Sequence, residues 1–161
     1  MVTDKQDRMH IRRTIDLAEY AAERGDRPCG SLLVHEGTVL KEDTNRVYTD
    51  DDIALHPELS LLRWGNRELS PDELSNTTLY TTIEPCSMCA TALSMTELGR
   101  VVFCVSGEQY WTAAAAAGYD VPEDYIPCSE VIERLGSETI LTGPILEKQG
   151  FGVIKDCLEA N

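Results

Sequence analysis

Lysine is scarce in this chain, and so is positive charge in general. Only four of its 161 residues are lysine, and 14 cationic residues face 28 acidic ones, so the formal net charge is −14. Proteins that bind nucleic acid usually carry a basic surface, because lysine and arginine neutralise the phosphates. The composition therefore disfavours a polynucleotide partner. An acidic, lysine-poor surface suits a salt-rich environment as well as it suits ordinary solubility.

Long apolar runs are also missing. No stretch approaches the roughly 20 consecutive apolar residues of a membrane span, and the N-terminus, Met1 to Arg8, lacks the apolar segment of a signal peptide. We therefore expect a cytoplasmic protein with no membrane partner. Six cysteines without an export signal are better explained as free thiols with one metal site than as three disulfides.

No flexible linker or internal repeat divides the chain, so residues 1–161 are predicted to form a single domain. Helical and β-rich patterns alternate along it, which favours an α/β fold with a mixed sheet covered on both faces. Helices are predicted over 11–22, 57–67, 87–98, 113–117, 129–135 and from 145 onward, with a cap at Ser129. Strands are predicted over 31–35, 38–41, 77–83, 101–105 and 138–141, the first two joined by a hairpin turn at Glu36-Gly37.

Two short fragments bring together residue types that bind metals, His56-Pro57-Glu58 and Pro85-Cys86-Ser87-Met88-Cys89. Each is predicted to open a helix, where the helix dipole favours negative charge. A Cys-x-x-Cys pair can place two thiolates on one metal, and His56 is the natural third ligand. Three nitrogen and sulfur ligands leave the fourth position of a zinc ion for water, which is the catalytic pattern. The sequence thus predicts one zinc ion per chain on His56, Cys86 and Cys89.

Glu58 is the candidate proton carrier of this site. It lies two residues beyond His56, close enough to approach a water on the metal, whose pKa zinc lowers toward about 7. His-x-Glu followed by Pro-Cys-x-x-Cys is the signature of zinc-dependent nucleobase deaminases. Two alternatives remain open at this point. One is a closed structural zinc site with a fourth thiol from Cys29, Cys104 or Cys128, and the other is a thioredoxin-like redox pair.

These motifs resemble the cytidine/deoxycytidylate deaminase superfamily, in the branch of the guanine, cytosine and tRNA wobble adenosine deaminases. The resemblance spans roughly residues 8–155. Besides the two metal motifs, it is carried by Pro28-Cys29-Gly30-Ser31, by Asn45 eleven residues before His56, by the whole segment 78–90 and by Arg100-Val101-Val102-Phe103.

The resemblance implies a three-layer α/β/α fold around a mixed five-stranded sheet, and a homodimer or larger oligomer. It also implies that Asn45 contacts the base or ribose and that the backbone carbonyl of Glu84 accepts a hydrogen bond from the departing amine. The segment 108–125 is expected to close over the substrate. Within it, Trp111 is a candidate for stacking on a base, and Asp120 for bonding a ring amine.

The expected function is hydrolytic deamination of a free nucleobase or nucleoside of the guanine or cytosine type, as in base salvage, with a small molecule as substrate. A tRNA wobble adenosine deaminase and a non-catalytic zinc-stabilised domain are the alternatives. The chain departs from the family pattern at Pro57, since relatives use that backbone N–H to bind the substrate ring and proline has none. Asp120 stands alone where guanine deaminases carry paired acids.

Overall fold

The computed structural model of the protein describes residues 4–160. The described elements are α1 (Asp4–Glu23), β1 (Gly30–His35), β2 (Thr38–Thr44), α2 (Pro57–Glu68), α3 (Pro71–Ser75), β3 (Thr77–Ile83), α4 (Ser87–Ser94), β4 (Arg100–Val105), α5 (Gly107–Ala116), α6 (Cys128–Arg134), β5 (Ile140–Thr142) and α7 (Glu147–Glu159). The strands form one five-stranded sheet in the order β2-β1-β3-β4-β5. β1 is antiparallel to both β2 and β3, whereas β3, β4 and β5 are parallel. The predicted fold class is confirmed.

The sheet follows directly from the local sequence. Every residue of β3, Thr-Thr-Leu-Tyr-Thr-Thr-Ile, is buried, as expected for a β-branched strand at the centre of a sheet that is covered on both faces. The predicted hairpin between β1 and β2 is also confirmed. Glu36 and Gly37 form its turn with φ values of 47° and 78°, the left-handed pair that a two-residue hairpin needs.

Two apolar clusters, one on each face of the sheet, hold the layers together. Helices α1, α5 and α7 pack on one face around Ile11, Tyr80, Val102 and Ile154. Helices α2, α3, α4 and α6 pack on the other face, where Leu61, Leu79, Leu93 and Val101 are among the buried residues. Because α2 and α4 share this second face, the starts of the two helices come close together.

Several predicted boundaries were wrong. Helix α4 ends at Ser94, four residues before the predicted end, and Leu98 is instead buried at the entry to β4. Helix α6 has Pro127 as its N-cap and not Ser129. Helix α5 begins at Gly107, upstream of the alanine run, with Ser106 as a side-chain cap. These ends are decided by tertiary hydrogen bonds and packing, which periodicity does not report.

Helix α3 was not predicted, although its sequence carries a signal for it. Ser70 and Glu73 form a reciprocal capping box, in which each side chain accepts a hydrogen bond from the other residue's backbone N–H. Over residues 4–160, none of the helices combines the length and the apolar character needed to cross a membrane.

Candidate active site

The two metal motifs occupy the starts of two neighbouring helices. His56 is the N-cap of α2 and Cys86 is the N-cap of α4, both with extended backbone. Their carbonyl oxygens accept the first helical hydrogen bonds, from the N–H of Ser60 and of Ala90. Pro57 is favourable at the first helical position, where its missing N–H would have had no partner. Both predicted helix starts are therefore confirmed.

The donor atoms of these motifs have the spacing of a zinc site. The Sγ atoms of Cys86 and Cys89 each lie 3.7 Å from Nδ1 of His56. A tetrahedral ion with Zn–S near 2.3 Å and Zn–N near 2.0–2.1 Å would place these atoms about 3.6 Å apart. Over residues 4–160 this is the only group of three or more metal-ligating side chains, and no fourth one joins it. The three donors therefore fit a zinc ion with one open position. A closed structural site would need a fourth thiol, which the described residues do not bring to this group.

The charge distribution at the three donors also favours a cation. A hydrogen bond with Cys89 lowers the pKa of the Cys86 thiol, and His56 lowers it further, against the opposing effect of burial. The pKa of Cys89 is raised, because its hydrogen bond with Cys86 and its burial both retain the proton. A positive ion between the two sulfurs would favour ionisation of both thiols, which is the form that binds metal.

Glu58 is buried beside this group and is only partly satisfied. Its Oε1 accepts a hydrogen bond from the Thr81 hydroxyl at 3.0 Å and a weaker one from the Cys29 thiol at 3.6 Å. Its Oε2 is buried and finds no hydrogen-bond partner anywhere in the described part of the chain. Burial raises the pKa of Glu58, although His56 opposes the shift. A carboxylate with one oxygen anchored and the other free is suited to proton transfer.

The hydrogen bond that holds Glu58 belongs to a chain of hydrogen bonds that reaches into the sheet. The Ser31 hydroxyl donates to Thr81 Oγ1 at 2.9 Å, and Thr81 in turn donates to Glu58. Residue-type patterns did not identify Thr81 as a functional residue. Its position in β3, on the face that α2 covers, is the signal that could have found it, because alternate strand residues share one face.

Three of the four predicted substrate contacts line the same cavity as the metal donors, namely Asn45, Glu84 and Trp111. Asn45 is buried, and its Oδ1 accepts the N–H of Val47 at 3.1 Å, which leaves Nδ2 as a donor. The Glu84 carboxylate accepts hydrogen bonds from the N–H groups of Gly107 and Cys128, each at 2.9 Å. Glu84 thereby ties the starts of α5 and α6 to the end of β3.

Asp120, the fourth predicted contact, lies elsewhere. It is exposed and lines a second cavity of about 570 Å³. The two cavities are neighbours that share Arg27, Tyr110 and Trp111 in their walls. Asp120 is therefore absent from the lining of the cavity that His56, Glu58 and Cys86 share.

Arg27 and Tyr110 line the catalytic cavity but were not predicted as site residues. Arg27 directly precedes the Pro28-Cys29-Gly30 strand entry, and Tyr110 precedes Trp111 in α5. Neither residue belongs to a sequence motif with a known chemical role, so only the folded structure shows that both residues line the cavity.

Comparison with known protein families gives a match that includes this site. The model of the cytidine and deoxycytidylate deaminase zinc-binding region matches residues 4–105. The chain belongs to this deaminase family. Its members are hydrolases that act on carbon–nitrogen bonds, and zinc is the cofactor of the matched region. The redox-pair alternative is therefore wrong, because the match includes both metal motifs.

Relatives of this deaminase are named for more than one substrate. The tRNA-specific adenosine deaminase of Haemophilus influenzae is 33% identical over 125 residues, which cover 77% of this chain and 71% of that protein. A probable cytosine deaminase of Schizosaccharomyces pombe is 27% identical over 148 residues, covering 91% of this chain and 89% of that protein.

Solved structures support the deaminase fold. The guanine deaminase from Nitrosomonas europaea superimposes with a TM-score of 0.73 at 19% identity, covering 92% of this chain and 82% of that one. Another neighbour, solved in complex with 2,6-diaminopurine, gives a TM-score of 0.74 at 21% identity and covers 96% of this chain and 82% of its own. At these identities the likeness extends to the fold alone.

Proposed function

We propose that this deaminase acts hydrolytically on a small amino-substituted nucleobase or nucleoside of the guanine or cytosine type. One observation carries the catalytic part of the proposal. Within the described residues, Glu58 keeps one buried carboxylate oxygen unpaired beside the only His/Cys/Cys group. Leaving a buried charged oxygen unsatisfied is costly, and the cost is understandable where a reactant completes the hydrogen bond.

The proposed roles divide between the two helix starts. His56, Cys86 and Cys89 hold one zinc ion, which when bound makes a nearby water more acidic. Glu58 accepts a proton from that water and later donates it to the departing amine. The water oxygen bonds to the amidine carbon of the ring, the carbon–nitrogen bond breaks, and ammonia leaves to give the oxo product. Glu84 lines the cavity, and its backbone carbonyl is the proposed acceptor for the departing amine.

The charge of the second cavity supports a small substrate. The second cavity is lined by Glu23, Asp26, Asp120 and Asp156, with Arg27 as the cation at its junction with the catalytic cavity. Such a surface repels a phosphodiester chain and tolerates a neutral base or ribosyl group. Asn45 and Trp111 complete the wall with an amide donor and an aromatic face, which suit a heterocyclic ring. A cytoplasmic role in base salvage belongs to this proposal.

A tRNA wobble adenosine deaminase is the second candidate, because the Haemophilus influenzae relative with that name is 33% identical. The net charge of −14 opposes it. Metal chemistry does not separate the two candidates, since both need the same zinc and glutamate.

An ammonia-release assay separates the candidates. Zinc-loaded protein is incubated with guanine, cytosine, isocytosine, adenine and their nucleosides, and in parallel with a tRNA anticodon stem-loop that carries a wobble adenosine. We expect release from at least one guanine- or cytosine-type compound and none from the RNA. Inosine in the RNA without turnover of any small molecule would establish the second candidate.

We also propose a homodimer. Met88 and Met95, in and next to α4, are 37% and 80% exposed, as surfaces that pair with a second copy often are. Light scattering at several concentrations tests this, and a monomer throughout would contradict it.

A further inference from the structure

Of the described residues, Arg27 is the one Arg or Lys in a cavity lining that also contains two of the metal donors, two acidic residues, Asn45 and two aromatic residues. The residue lies between Asp26 and Pro28, just before β1, and its side chain is half-buried. It lines the cavity together with His56 and Glu58, and it also lines the neighbouring cavity. The Arg27 guanidinium is therefore placed to contact a ligand that binds where the two cavities adjoin.

No acidic side chain of residues 4–160 forms an ion pair with Arg27. Its guanidinium lies over the ring of Tyr48 instead, 5.6 Å from the centroid. Arg24, three residues earlier, shows the contrast. Its Nη2 contacts Asp26, Thr44 and the carbonyl of Asn45 at 2.9–3.3 Å. Arg24 has a structural role, whereas Arg27 keeps donors that the fold does not use.

Pro57 lies between His56 and Glu58, which both line this cavity. Proline has no N–H, so the backbone at that position cannot bind a ring acceptor. Asn45 Nδ2 supplies an amide donor, and Arg27 supplies the planar fork of five N–H donors that guanidinium groups carry. Arg27 and Asn45 are therefore donors available to acceptor atoms on a bound ring, beside the Tyr110 hydroxyl and the Trp111 indole N–H in the same lining.

We propose that Arg27 is a specificity-determining residue that binds a ring carbonyl oxygen of the substrate. The proposal rests on the proposed function and sharpens it. The enzyme selects amino heterocycles that also carry an oxo group, as guanine, cytosine and isocytosine do. Adenine has an amine and ring nitrogens but no carbonyl, so it leaves the guanidinium unmatched in a partly desolvated cavity.

The chemistry of arginine supports this choice. Hydrogen bonds from a guanidinium to oxygen acceptors are charge-assisted, and the paired contact to O6 and N7 is the commonest specific contact of arginine with guanine. A site built to bond such an oxygen discriminates against the analogue that lacks it, because its own buried donor stays unpaired. From the usual strength of such contacts, we expect a preference of about 10- to 100-fold.

The test compares ligands that differ in the oxo group and in the ring N–H that accompanies it, and the Arg27 variants separate the two differences. Guanine is paired with 2-aminopurine, and cytosine with 4-aminopyrimidine, so the amine is the same within each pair. Binding to the zinc-loaded Glu58→Gln protein is measured by calorimetry, which needs no turnover. The Arg27→Met change is then added, since methionine retains an apolar stem without the fork. Arg63→Met, on the exposed side of α2, is the matched control.

We expect at least one oxo member to bind about 10- to 100-fold more tightly than its partner, and Arg27→Met to remove most of that difference. Arg63→Met should leave the difference unchanged. Arg27→Lys should recover part of it, because the charge is kept and the fork is lost.

Equal binding within both pairs, binding of no member, or discrimination that survives Arg27→Met would each overturn the role of Arg27. The proposed reaction is judged separately by ammonia release from protein with an intact Glu58. Arg27-dependent discrimination without any ammonia release would support the recognition and contradict the reaction.

Discussion

The two walls of the catalytic cavity are built in different ways. The metal-facing wall consists of the starts of α2 and α4, where His56, Cys86 and Cys89 are within a few residues of a helix cap. The opposite wall, which we propose faces the substrate, consists of Arg27, Asn45 and Trp111, which come from two loops and from α5. The first wall is local in sequence and holds the proposed reaction centre, whereas the second is assembled by the fold and holds the proposed substrate contacts.

Removing a metal donor tests the first wall most severely. Cys86→Ala should lose zinc and all activity, because two donors do not hold the ion in place. If zinc is present at about 1,000 times its dissociation constant, about 4 kcal/mol of stability is lost, which lowers Tm by about 8–16 °C for a chain of this size. Elemental analysis and a thermal melt measure both effects. Cys157→Ser, in α7, is the control, and equal zinc content in the two variants would remove Cys86 from the site.

Glu58→Gln separates the proton carrier from the metal. The amide has nearly the same shape but cannot accept the proton, so kcat should fall by about 10²–10⁴-fold while zinc content and Tm stay near those of the parent. Glu68→Gln, at the exposed end of the same helix, serves as the control. Turnover within threefold of the parent would show that another group moves the proton.

Thr81→Val probes the support behind Glu58. Valine has the shape of threonine without the hydroxyl, so Oε1 loses its 3.0 Å hydrogen bond. We expect kcat to fall about 10- to 150-fold with zinc content unchanged, since a hydrogen bond to a charged group contributes about 1.5–3 kcal/mol. Thr78→Val changes the opposite face of the same strand, and an equal loss in that control would mean that only β3 packing had been disturbed.

Pro57→Ala changes the residue between His56 and Glu58 and should have the smallest effect. It restores a backbone N–H next to the metal donors, so KM should fall about 2- to 10-fold for a substrate that reaches it. Stability should drop by about 0.4–1 kcal/mol, because proline restricts the unfolded chain. Pro71→Ala at the first position of α3 controls for this loss. If KM is unaltered while stability falls, the ring does not approach residue 57.

The same contrast explains which parts of the site could be predicted. Three signals, namely residue type, spacing and a helix start, can be read from the amino-acid sequence alone. They coincide at His56, Glu58, Cys86 and Cys89. Asn45 and Trp111 required a resemblance to a family, and the structure places both in the cavity. Asp120 was predicted in the same way, and it lines the adjoining cavity instead.

Arg27 carried no local signal, and the one signal for Thr81 was its place on a face of β3. Their roles depend on which face of β3 packs on α2 and on how the loop before β1 lies against Tyr48. Such contacts join residues far apart in the chain, so neither periodicity nor motif spacing reports them.

The sequence alone determined the sheet-and-helix order and the hairpin at Glu36-Gly37, and it predicted the grouping of His56, Cys86 and Cys89 that could hold a metal ion, because capping, β-propensity and ligand spacing act over a few residues. Tertiary structure decided which carboxylate oxygen of Glu58 stays free, where α5 and α6 begin, with their first N–H groups bonded to Glu84, and that Arg27 lines the cavity. These features arise from long-range packing and hydrogen bonds, which form only when distant segments of the chain meet.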